Sequence, residues 1–489
     1  MKNAASKTTP DTTFDVIVIG AGPIGQSVAA RARAGGLSVA VVEKELVGGE
    51  CSYWACIPSK AMLRPVVAVA DARRLDGARE AVTGPVAAAG VFRRRDRYVT
   101  DWDDSGQAQS LADMGAHLVR GHGRVDGPRR VAVATPEETI VLLTAVHAVV
   151  VCTGSRAAVP DMPGIAEAKV WTNRTATDTA TVPGRLAIIG GGPVGVEMAT
   201  AWQGLGAEVT LIAREPRVLP QFEEFAGELV GASLKAAGVD VRHSTTVTSM
   251  RRPSPAGPVT LLLDDHSEIE ADEVLAAVGR VPLTGDIGLE TVGLTPGSWL
   301  DVDDTCRVRG VEGGWLYAAG DVNHRALLTH QGKYQARMVG NAIAAQADGR
   351  ALDTSPWGRH AATADTHALA QVVFTDPEVA TVGLSADQAA RDGREIRVVD
   401  VDIPATVVGA LLYADDYQGQ ARLVLDGATD CVLGVTFVGY GVTELLHSAT
   451  VAVAGQVPVS RLWHAVPSFP TISEVWLRLL EALRDGERQ

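Results

Sequence analysis

Cysteine is scarce in this sequence, with 5 residues among 489. An odd, scattered set of cysteines is not the framework of a secreted, disulfide-rich protein. The first residues also lack a continuous apolar stretch of about 7 to 15 residues, which a signal peptide or a membrane anchor would contain. We therefore expect a cytoplasmic protein with a short disordered arm over residues 1–13 and no membrane partner.

A long run of lysine or arginine is missing as well, and the formal net charge is −14 at pH 7. Nucleic acids and anionic membranes attract proteins through basic patches, so the charge excludes nucleic acid as a main partner. The composition, 46% hydrophobic and 21% charged, is typical of a globular protein. The chain length predicts several domains.

Two glycine-rich turns follow short apolar runs at residues 14–19 and 186–189. Their glycines are Gly20, Gly22 and Gly25 in the first turn and Gly190, Gly192 and Gly195 in the second. In a strand–turn–helix unit of this kind, backbone N–H groups and the helix N-terminus face a pyrophosphate. The sequence therefore predicts two Rossmann-like dinucleotide-binding units.

The residue after the next strand separates the two units. In the first unit it is Glu43, whose carboxylate can accept hydrogen bonds from ribose hydroxyls. In the second it is Ala213, followed by Arg214, which offers a charged fork to a 2′-phosphate. We predict a dinucleotide without a 2′-phosphate in the first unit and NADPH in the second. In the alternative, Arg214 is a surface residue, Glu215 contacts the ribose and NADH is the cofactor.

A cysteine pair, Cys51 and Cys56, lies in residues 48–60, which read Gly-Gly-Glu-Cys-Ser-Tyr-Trp-Ala-Cys-Ile-Pro-Ser-Lys. On a regular helix, residues five apart are about 7.5 to 8.5 Å apart, beyond the roughly 7 Å that a disulfide spans between Cα atoms. A bridge therefore needs a distorted turn, which Gly48 and Gly49 permit. We interpret the pair as a labile, redox-active disulfide. The alternative is two reduced cysteines packed near a helix start.

This segment resembles the redox motif of the FAD-dependent pyridine nucleotide-disulfide oxidoreductases of class I, which read Gly-Gly-x-Cys-x-x-x-x-Cys-Ile-Pro-Ser-Lys. Dihydrolipoamide dehydrogenase, glutathione reductase and mercuric reductase belong to that family. The resemblance implies an α/β fold with two Rossmann-like dinucleotide-binding domains, for FAD and NAD(P), plus a C-terminal α+β dimerisation domain. It also implies an enzyme in which electrons pass from NADPH through FAD to the cysteine pair. Tyr53, Trp54 and Ala55 depart from the usual motif, so we expect a pocket shaped for an unusual substrate.

The resemblance also assigns residue roles. Cys56 corresponds to the flavin-proximal sulfur and Cys51 to the interchange thiol. Lys60 and Glu197 match a pair near the flavin ring, and Asp321 matches a contact to the ribityl chain. Further cofactor contacts are implied at Lys44, Gly49, Lys60, Gly123, Thr153, Gly154 and Gly279. No metal site is implied.

The resemblance divides the chain into segments with defined boundaries. These are the arm at 1–13, an FAD-binding domain at 14–155 and 281–355, an NAD(P)H-binding domain at 156–280 and a dimer-interface domain at 356–489. In the relatives, the last domain sends its C-terminal segment into the partner's active site. We therefore expect a homodimer whose active sites are completed by the partner.

The C-terminal segment departs from the family at one catalytic position. The family reads His-Pro-Thr-x-Ser-Glu, whereas residues 469–474 read Phe-Pro-Thr-Ile-Ser-Glu. Phe469 replaces the general acid/base histidine, and Glu474, its orienting carboxylate, remains. His464 can substitute only if the loop folds back, and is otherwise structural. We expect a small-molecule acceptor that is a non-standard disulfide, thiol or quinone-like compound.

Two other functions stay open. The 2-ketopropyl coenzyme M reductases resemble this chain in having Phe at the same site, where it keeps protons from a carbanion. Those enzymes pair the Phe with a nearby His, whereas this chain has Glu474. The remaining alternative is a non-catalytic or redox-sensing flavoprotein whose disulfide is vestigial.

Overall fold

The computed structural model describes residues 8–486, with side chains from residue 12 onward. The strands are β1 (Thr8–Ile19), β2 (Val39–Glu43), β3 (His117–Arg120), β4 (His122–Val125), β5 (Arg130–Ala134), β6 (Ile140–Val151), β7 (Ser155–Ala157), β8 (Arg185–Ile189), β9 (Glu208–Ile212), β10 (Asp240–Arg242), β11 (Val247–Arg251), β12 (Val259–Leu263), β13 (Glu268–Ala271), β14 (Glu273–Ala276), β15 (Arg280–Pro282), β16 (Leu316–Ala318), β17 (Ala370–Val373), β18 (Glu378–Gly383), β19 (Ile396–Asp402), β20 (Gln420–Asp426) and β21 (Val432–Gly439).

The helices are α1 (Pro23–Ala34), α2 (Gly49–Tyr53), α3 (Cys56–Arg73), α4 (Ala88–Tyr98), α5 (Ser105–Asp113), α6 (Ile165–Ala168), α7 (Asn173–Asp178), α8 (Pro193–Gly204), α9 (Glu224–Ala236), α10 (Thr329–Ala347), α11 (Ala364–His367), α12 (Ala386–Arg391), α13 (Ile403–Thr406), α14 (Val408–Tyr413), α15 (Leu446–Ala454), α16 (Val459–Leu462) and α17 (Val475–Gly486). Short 3₁₀ turns lie at Arg79–Ala81, Thr100–Trp102, Leu289–Val292, Asp321–Asn323, Thr443–Leu445 and Ile472–Glu474.

The chain folds into two compact units. The first contains the described residues up to Ile57, Asp96–Arg156 and Arg280–Asp365. Its main sheet has the order β3-β2-β1-β6-β5-β4, with β16 beside β6. Strands β1, β2, β3, β6 and β16 run parallel, and β5 and β4 add an antiparallel edge. Strand β2 is buried at every position, as expected for a parallel strand that is covered on both faces.

The second unit contains Pro58–Arg95, Ala157–Gly279 and the described residues from Thr366 onward. A parallel sheet of order β10-β9-β8-β14 accompanies an antiparallel sheet, β11-β12-β13. A second antiparallel sheet has the order β17-β18-β21-β20-β19. Trp202 is fully buried in the core of this unit and lies against Trp171, with ring centroids 5.7 Å apart.

The predicted fold class is confirmed by these sheets and by the family comparisons given below. The predicted arm is wrong over residues 8–13, which extend β1 because they pair with the first half of β6, Thr8 opposite Ile140. The rest of the arm, residues 1–7, lies outside the described residues. The other domain boundaries stay predictions. Within residues 8–486, no helix is long and apolar enough to cross a membrane.

Candidate active site

The cysteine pair lies where helix α2 ends and helix α3 begins. Helix α2 ends at Tyr53, and Trp54 has non-helical dihedrals, with φ −139° and ψ 5°. Helix α3 then begins at Cys56. The regular helical path between Cys51 and Cys56 is therefore interrupted, as a disulfide at this spacing requires.

Cys51 and Cys56 are partly buried thiols in this structure. The Cys56 Sγ lies 3.4 Å from the Thr329 Oγ1 at the start of α10. A hydrogen bond with Cys56, burial and the charge of Cys56 raise the pKa of the Cys51 thiol, whereas Thr329 and Lys333 lower it. The two sulfurs are thus neighbours, and the net effect is a raised pKa of the Cys51 thiol, which the positive charge of Lys333 opposes only in part. The sequence did not indicate this contact between Cys56 and Thr329.

The first glycine turn has the geometry of an anion site. Gly20 has φ +103°, and a Cβ at Gly25 would lie 1.8 Å from the Gly20 carbonyl oxygen, so only glycine fits. Gly22 begins α1 without a side-chain cap, and a Cβ there would meet no described atom within 4 Å. The first N–H groups of α1 therefore have no side-chain cap and can bind a phosphate.

Glu43 lies beside this turn at the end of β2. Its Oε2 accepts a hydrogen bond from the Ala21 N–H and its Oε1 accepts one from the Glu45 N–H, both at 2.7 Å. Burial raises the pKa of this carboxyl group. The two backbone donors fix the carboxylate next to the turn, with lone pairs left for a ribose.

Asp321 belongs to a polar cluster of the same unit. The Ser155 hydroxyl donates to the Asp321 Oδ2 at 2.5 Å, and the Arg280 Nε donates to the Ser155 hydroxyl at 2.6 Å. Glu50, the residue before Cys51, lies 3.8 Å from the Arg280 guanidinium. This cluster therefore brings the Asp321 carboxylate, an arginine and the start of α2 together.

The remaining predicted FAD contacts of the first unit differ in their surroundings. Thr153 has a buried hydroxyl with no hydrogen-bond partner among the described residues, and Gly154, with φ +72°, faces open space. A Cβ added at Gly49 would lie 3.0 Å from the Gly22 Cα, so the two glycines are in close contact. Lys44 is exposed. At Gly123 a Cβ would lie 2.9 Å from Val42, so packing alone explains this glycine and its cofactor contact stays a prediction.

These features fit FAD. The open helix N-terminus suits a pyrophosphate, the Glu43 carboxylate suits a ribose, and the buried Thr153 hydroxyl needs a partner. The Asp321 carboxylate is held in place by the Ser155 hydroxyl and can accept a further hydrogen bond. The FAD prediction therefore rests on chemistry that the first unit presents.

The second glycine turn repeats the backbone of the first but not its carboxylate. Gly190 has φ +116°, and a Cβ at Gly195 would lie 1.9 Å from the Gly190 carbonyl oxygen. Ala213 is buried after β9, and the side chain of Arg214 is 79% exposed. The Arg214 guanidinium donates to the Glu215 Oε1 at 2.9 Å. The two residues on which the NADPH and NADH alternatives depend are therefore paired with each other.

Gly192 and Gly279 leave room beside this turn. A Cβ at either glycine would meet no described atom within 4 Å, and Gly279 has φ +134°. Gly192 begins α8 as Gly22 begins α1. The second turn thus has the same open helix N-terminus, in which a pyrophosphate fits.

Lys60 and Glu197 form the pair expected from the sequence. The Lys60 Nζ lies 2.6 Å from the Glu197 Oε2, and the Phe374 N–H donates to the other carboxylate oxygen at 3.0 Å. The Lys60 ammonium also lies 4.9 Å from the centre of the Phe374 ring. Glu197 is buried, so the ion pair and the backbone donor together satisfy its charge.

The C-terminal segment presents Phe469 to solvent, with 71% of the residue exposed in the single chain. Glu474 is buried, and its Oε1 accepts a hydrogen bond from the Arg478 guanidinium one helical turn later. The Glu474 Oε2 has no partner within residues 8–486. His464 is exposed. Arg478 was missed by sequence reasoning, although its spacing of four residues from Glu474 was a usable signal.

Two dinucleotide-binding turns and a neighbouring cysteine pair define a nucleotide-dependent oxidoreductase. The chain belongs to the pyridine nucleotide-disulphide oxidoreductase family, whose model matches residues 14–349, and the dimerisation domain of that family matches residues 369–479. It is therefore an FAD-dependent oxidoreductase that uses NAD(P)H, and the enzyme class and cofactors expected from the sequence are confirmed.

Known proteins of this family match nearly the whole chain. A dihydrolipoyl dehydrogenase of Thermus scotoductus is 31% identical over 478 residues, covering 96% of this chain and 97% of that protein. A mercuric reductase of Staphylococcus aureus is 28% identical over 467 residues, covering 95% and 81%. Among solved structures, the Cu(II) complex of the HOCl-induced flavoprotein disulfide reductase RclA from Escherichia coli has a TM-score of 0.81 at 21% identity, covering 96% and 99%.

Proposed function

We propose that this enzyme passes two electrons from NADPH to a Cys51–Cys56 disulfide and then to a non-standard disulfide, thiol or quinone-like acceptor. One observation carries the proposal: the two cysteines are neighbours at the break between α2 and α3, beside Thr329. A pair at this spacing that follows a regular helix would be too far apart to bridge. The proposal deepens the family assignment by naming the residues that carry the electrons.

The chain's own residues position this pair and set its electrostatic surroundings. NADPH and one proton reduce the disulfide to two thiols and release NADP⁺, and the dithiol then gives two electrons and two protons to the acceptor. Bound FAD supplies the two-electron relay. Thr329 hydrogen-bonds Cys56, and the Lys333 ammonium opposes part of the rise that Cys56 and burial cause in the pKa of the Cys51 thiol. Lys60, held by Glu197, is the cation that we assign to the flavin ring.

Phe469 supports the choice of a non-standard acceptor. A benzyl ring neither accepts nor donates a proton, so this position provides no general acid for an ordinary leaving thiolate. The Glu474 carboxylate is engaged by Arg478 instead of a histidine. An acceptor that needs no proton from position 469, such as a quinone-like compound or a disulfide whose leaving thiol has a low pKa, suits this arrangement best.

The exposed apolar segment supports the proposal of a homodimer. Val466 is 84% exposed and Phe469 is 71% exposed in the single chain, both within the family's dimerisation domain. Burying exposed apolar side chains of this size against a partner subunit is energetically favourable. We propose that residues 463–474 complete the active site of a second copy. A cytoplasmic location stays a prediction.

An anaerobic NADPH titration tests the electron path. Wild-type protein should take up about two equivalents of NADPH per FAD, one for the flavin and one for the disulfide. Cys51→Ser and Cys56→Ser should each take up about one. Cys431→Ser is the matched control, because this partly buried cysteine lies in the second unit, and it should behave as wild type. Uptake of one equivalent by the wild type would favour the vestigial-disulfide alternative.

A substitution at position 469 tests the acceptor. Phe469→His should increase NADPH-dependent turnover of lipoamide or glutathione disulfide, since general acid/base groups contribute about 10² to 10⁴ in rate. Phe469→Leu, which also lacks a titratable group, should not. We expect the gain to be larger when Arg478→Met also frees the Glu474 carboxylate to orient the ring. High activity of the unmodified protein with these disulfides would contradict the proposal and point to His464.

A further inference from the structure

Tyr53 lies between the two cysteines in sequence but does not line a pocket near them. It is 1% exposed, one of the largest fully buried side chains of the described residues. The expectation that Tyr53 shapes the acceptor pocket is therefore wrong for this residue. Trp54 and Ala55 are partly buried, and their role in the pocket stays a prediction.

The hydroxyl of Tyr53 belongs to a hydrogen-bonded chain that reaches the first glycine turn. It donates to the Val47 carbonyl at 3.2 Å and accepts from the Gln107 Nε2 at 2.9 Å. The Gln26 Nε2 donates to the Gln107 Oε1 and to the Ala21 carbonyl, each at 3.0 Å. Tyr53 is thereby tied, through two glutamines, to the turn that faces the pyrophosphate.

The packing around this chain is close. A Cβ at Gly48 would lie 2.3 Å from the Gln107 Nε2 and 2.7 Å from the Tyr53 ring, so only glycine fits there. The Gly48 N–H donates to the same Ala21 carbonyl at 2.9 Å. The start of α2 therefore has little freedom to move relative to the glycine turn while Tyr53 and Gln107 are in place.

Helix geometry links this anchor to Cys51. Helix α2 has five residues, too few to be stable by itself, so contacts made by its side chains determine its orientation. Residues two apart on a helix point about 200° away from each other. Because Tyr53 is held in the core, Cys51 points to the opposite side, where Cys56, Thr329 and Lys333 influence its thiol.

We propose that Tyr53 is a positioning residue whose hydroxyl holds α2 so that the Cys51 sulfur stays within bonding reach of Cys56. The inference rests on the proposed function, because it assumes that this pair cycles between disulfide and dithiol. Fixing two thiols near each other raises their effective concentration and thus favours the disulfide. The Tyr53 hydroxyl therefore shifts the equilibrium of the pair toward the oxidised form.

The dithiol–disulfide equilibrium tests this role. Purified FAD-containing enzyme is equilibrated anaerobically with mixtures of reduced and oxidised dithiothreitol, then alkylated, and the Cys51–Cys56 peptides are measured by mass spectrometry. Reduced dithiothreitol gives two electrons and two protons to the disulfide and itself becomes the cyclic disulfide. The midpoint is the ratio of reduced to oxidised dithiothreitol at which half of the enzyme is in the dithiol form. In Tyr53→Phe this ratio should fall by about three- to tenfold, the factor expected for one buried hydrogen bond, because the disulfide is less favoured.

Two further variants separate positioning from stability. Tyr417→Phe removes another buried tyrosine hydroxyl that donates to a backbone carbonyl, at 2.9 Å, in the second unit. It should lower thermal stability similarly but leave the midpoint ratio at the wild-type value. Gln107→Leu keeps Tyr53 and removes its hydrogen-bond donor, so it should shift the ratio in the same direction. Its effect should not add to that of Tyr53→Phe, because both changes break one network.

The outcomes distinguish this inference from the proposed function. If wild-type enzyme forms no Cys51–Cys56 disulfide at any ratio, the proposed function fails and the inference fails with it. If the wild type forms the disulfide but Tyr53→Phe and Gln107→Leu keep its midpoint ratio, only the role of Tyr53 is overturned. A shift as large in Tyr417→Phe would assign the effect to general stability and would also overturn it.

Discussion

The two glycine turns have the same backbone and different neighbours. Gly25 and Gly195 would place a Cβ 1.8 and 1.9 Å from the carbonyl oxygens of Gly20 and Gly190. Beside the first turn, however, the Glu43 carboxylate accepts two backbone hydrogen bonds, whereas the second turn has the buried methyl group of Ala213. The strand–turn–helix geometry is thus common to both units, and we predict that the residue at the end of the second strand selects the dinucleotide.

This difference separates the residues that bind any dinucleotide from the residues that select one dinucleotide over another. Glycines that allow the helix N-terminus to approach a phosphate serve any dinucleotide. We expect the side chain at the strand end to contact the ribose, where FAD and NADPH differ by a 2′-phosphate. Substitutions in the shared glycines should therefore abolish binding in their own unit, whereas substitutions at the strand ends should change affinity or preference by smaller factors.

The largest effect should come from the shared glycines. In Gly25→Ala the new Cβ would force α1 away from β1, and overpacking of this kind costs about 1 to 3 kcal/mol. The purified protein should lose most of its FAD absorbance, with affinity reduced about a hundredfold. Gly195→Ala should keep its FAD and lose NADPH binding. Gly106→Ala in α5, where a Cβ has open space, is the control and should retain both cofactors.

Glu43 should have the next largest effect. Glu43→Ala would leave the N–H groups of Ala21 and Glu45 without their acceptor, and each unsatisfied buried donor costs about 1 to 3 kcal/mol. We expect the FAD dissociation constant to rise about 10- to 100-fold, measured by equilibrium dialysis. Glu43→Gln retains one acceptor oxygen and should show a smaller rise. Equal affinity in all three proteins would mean that the turn, and not the carboxylate, selects the cofactor.

Arg214 should change preference and leave general binding intact. Its exposure places the guanidinium in water, so its contact with a 2′-phosphate should contribute near the low end of 1.5 to 3 kcal/mol, about tenfold. Arg214→Ala should lower the NADPH/NADH ratio of flavin reduction rates by that factor, measured by stopped flow. Arg251→Ala removes an exposed arginine of the same unit and should leave the ratio unchanged. An unchanged ratio in Arg214→Ala would refute the NADPH assignment.

The parts of the molecule that depend on contiguous sequence patterns could be predicted from the sequence. The apolar strand, the glycine turn and the following helix are contiguous, so β1, Gly20 and α1 could be predicted together. The start of β6 could not be predicted. This strand begins at Ile140 because its first residues pair with β5 and with the N-terminal extension of β1.

The site residues divide in the same way. Cys51, Cys56, Lys60 and Glu197 were identified from motif matches, and the structure brings each pair together. Tyr53 was misinterpreted because its hydrogen-bond partner, Gln107, lies 54 residues away on a helix with no sequence link to the motif. Contacts between distant segments depend on packing, which a single sequence does not display.

The smallest effect should come from Glu215, and it decides between the two cofactor alternatives. If Arg214 binds the 2′-phosphate, Glu215 competes for its guanidinium through the 2.9 Å ion pair, and exposed pairs contribute about 0.2 to 1 kcal/mol. Glu215→Gln should then lower the KM for NADPH about two- to threefold and leave the KM for NADH unchanged. If Glu215 instead holds the ribose of NADH, the same change should raise the KM for NADH and leave NADPH unaffected. Glu208→Gln removes an exposed carboxylate at the start of β9 in the same unit, so it controls for a general change of charge. A lower KM for NADPH and an unchanged KM for NADH in Glu215→Gln, with both values unchanged in Glu208→Gln, would support NADPH as the cofactor. This result would agree with a second unit that selects its dinucleotide because it lacks the carboxylate of the first unit.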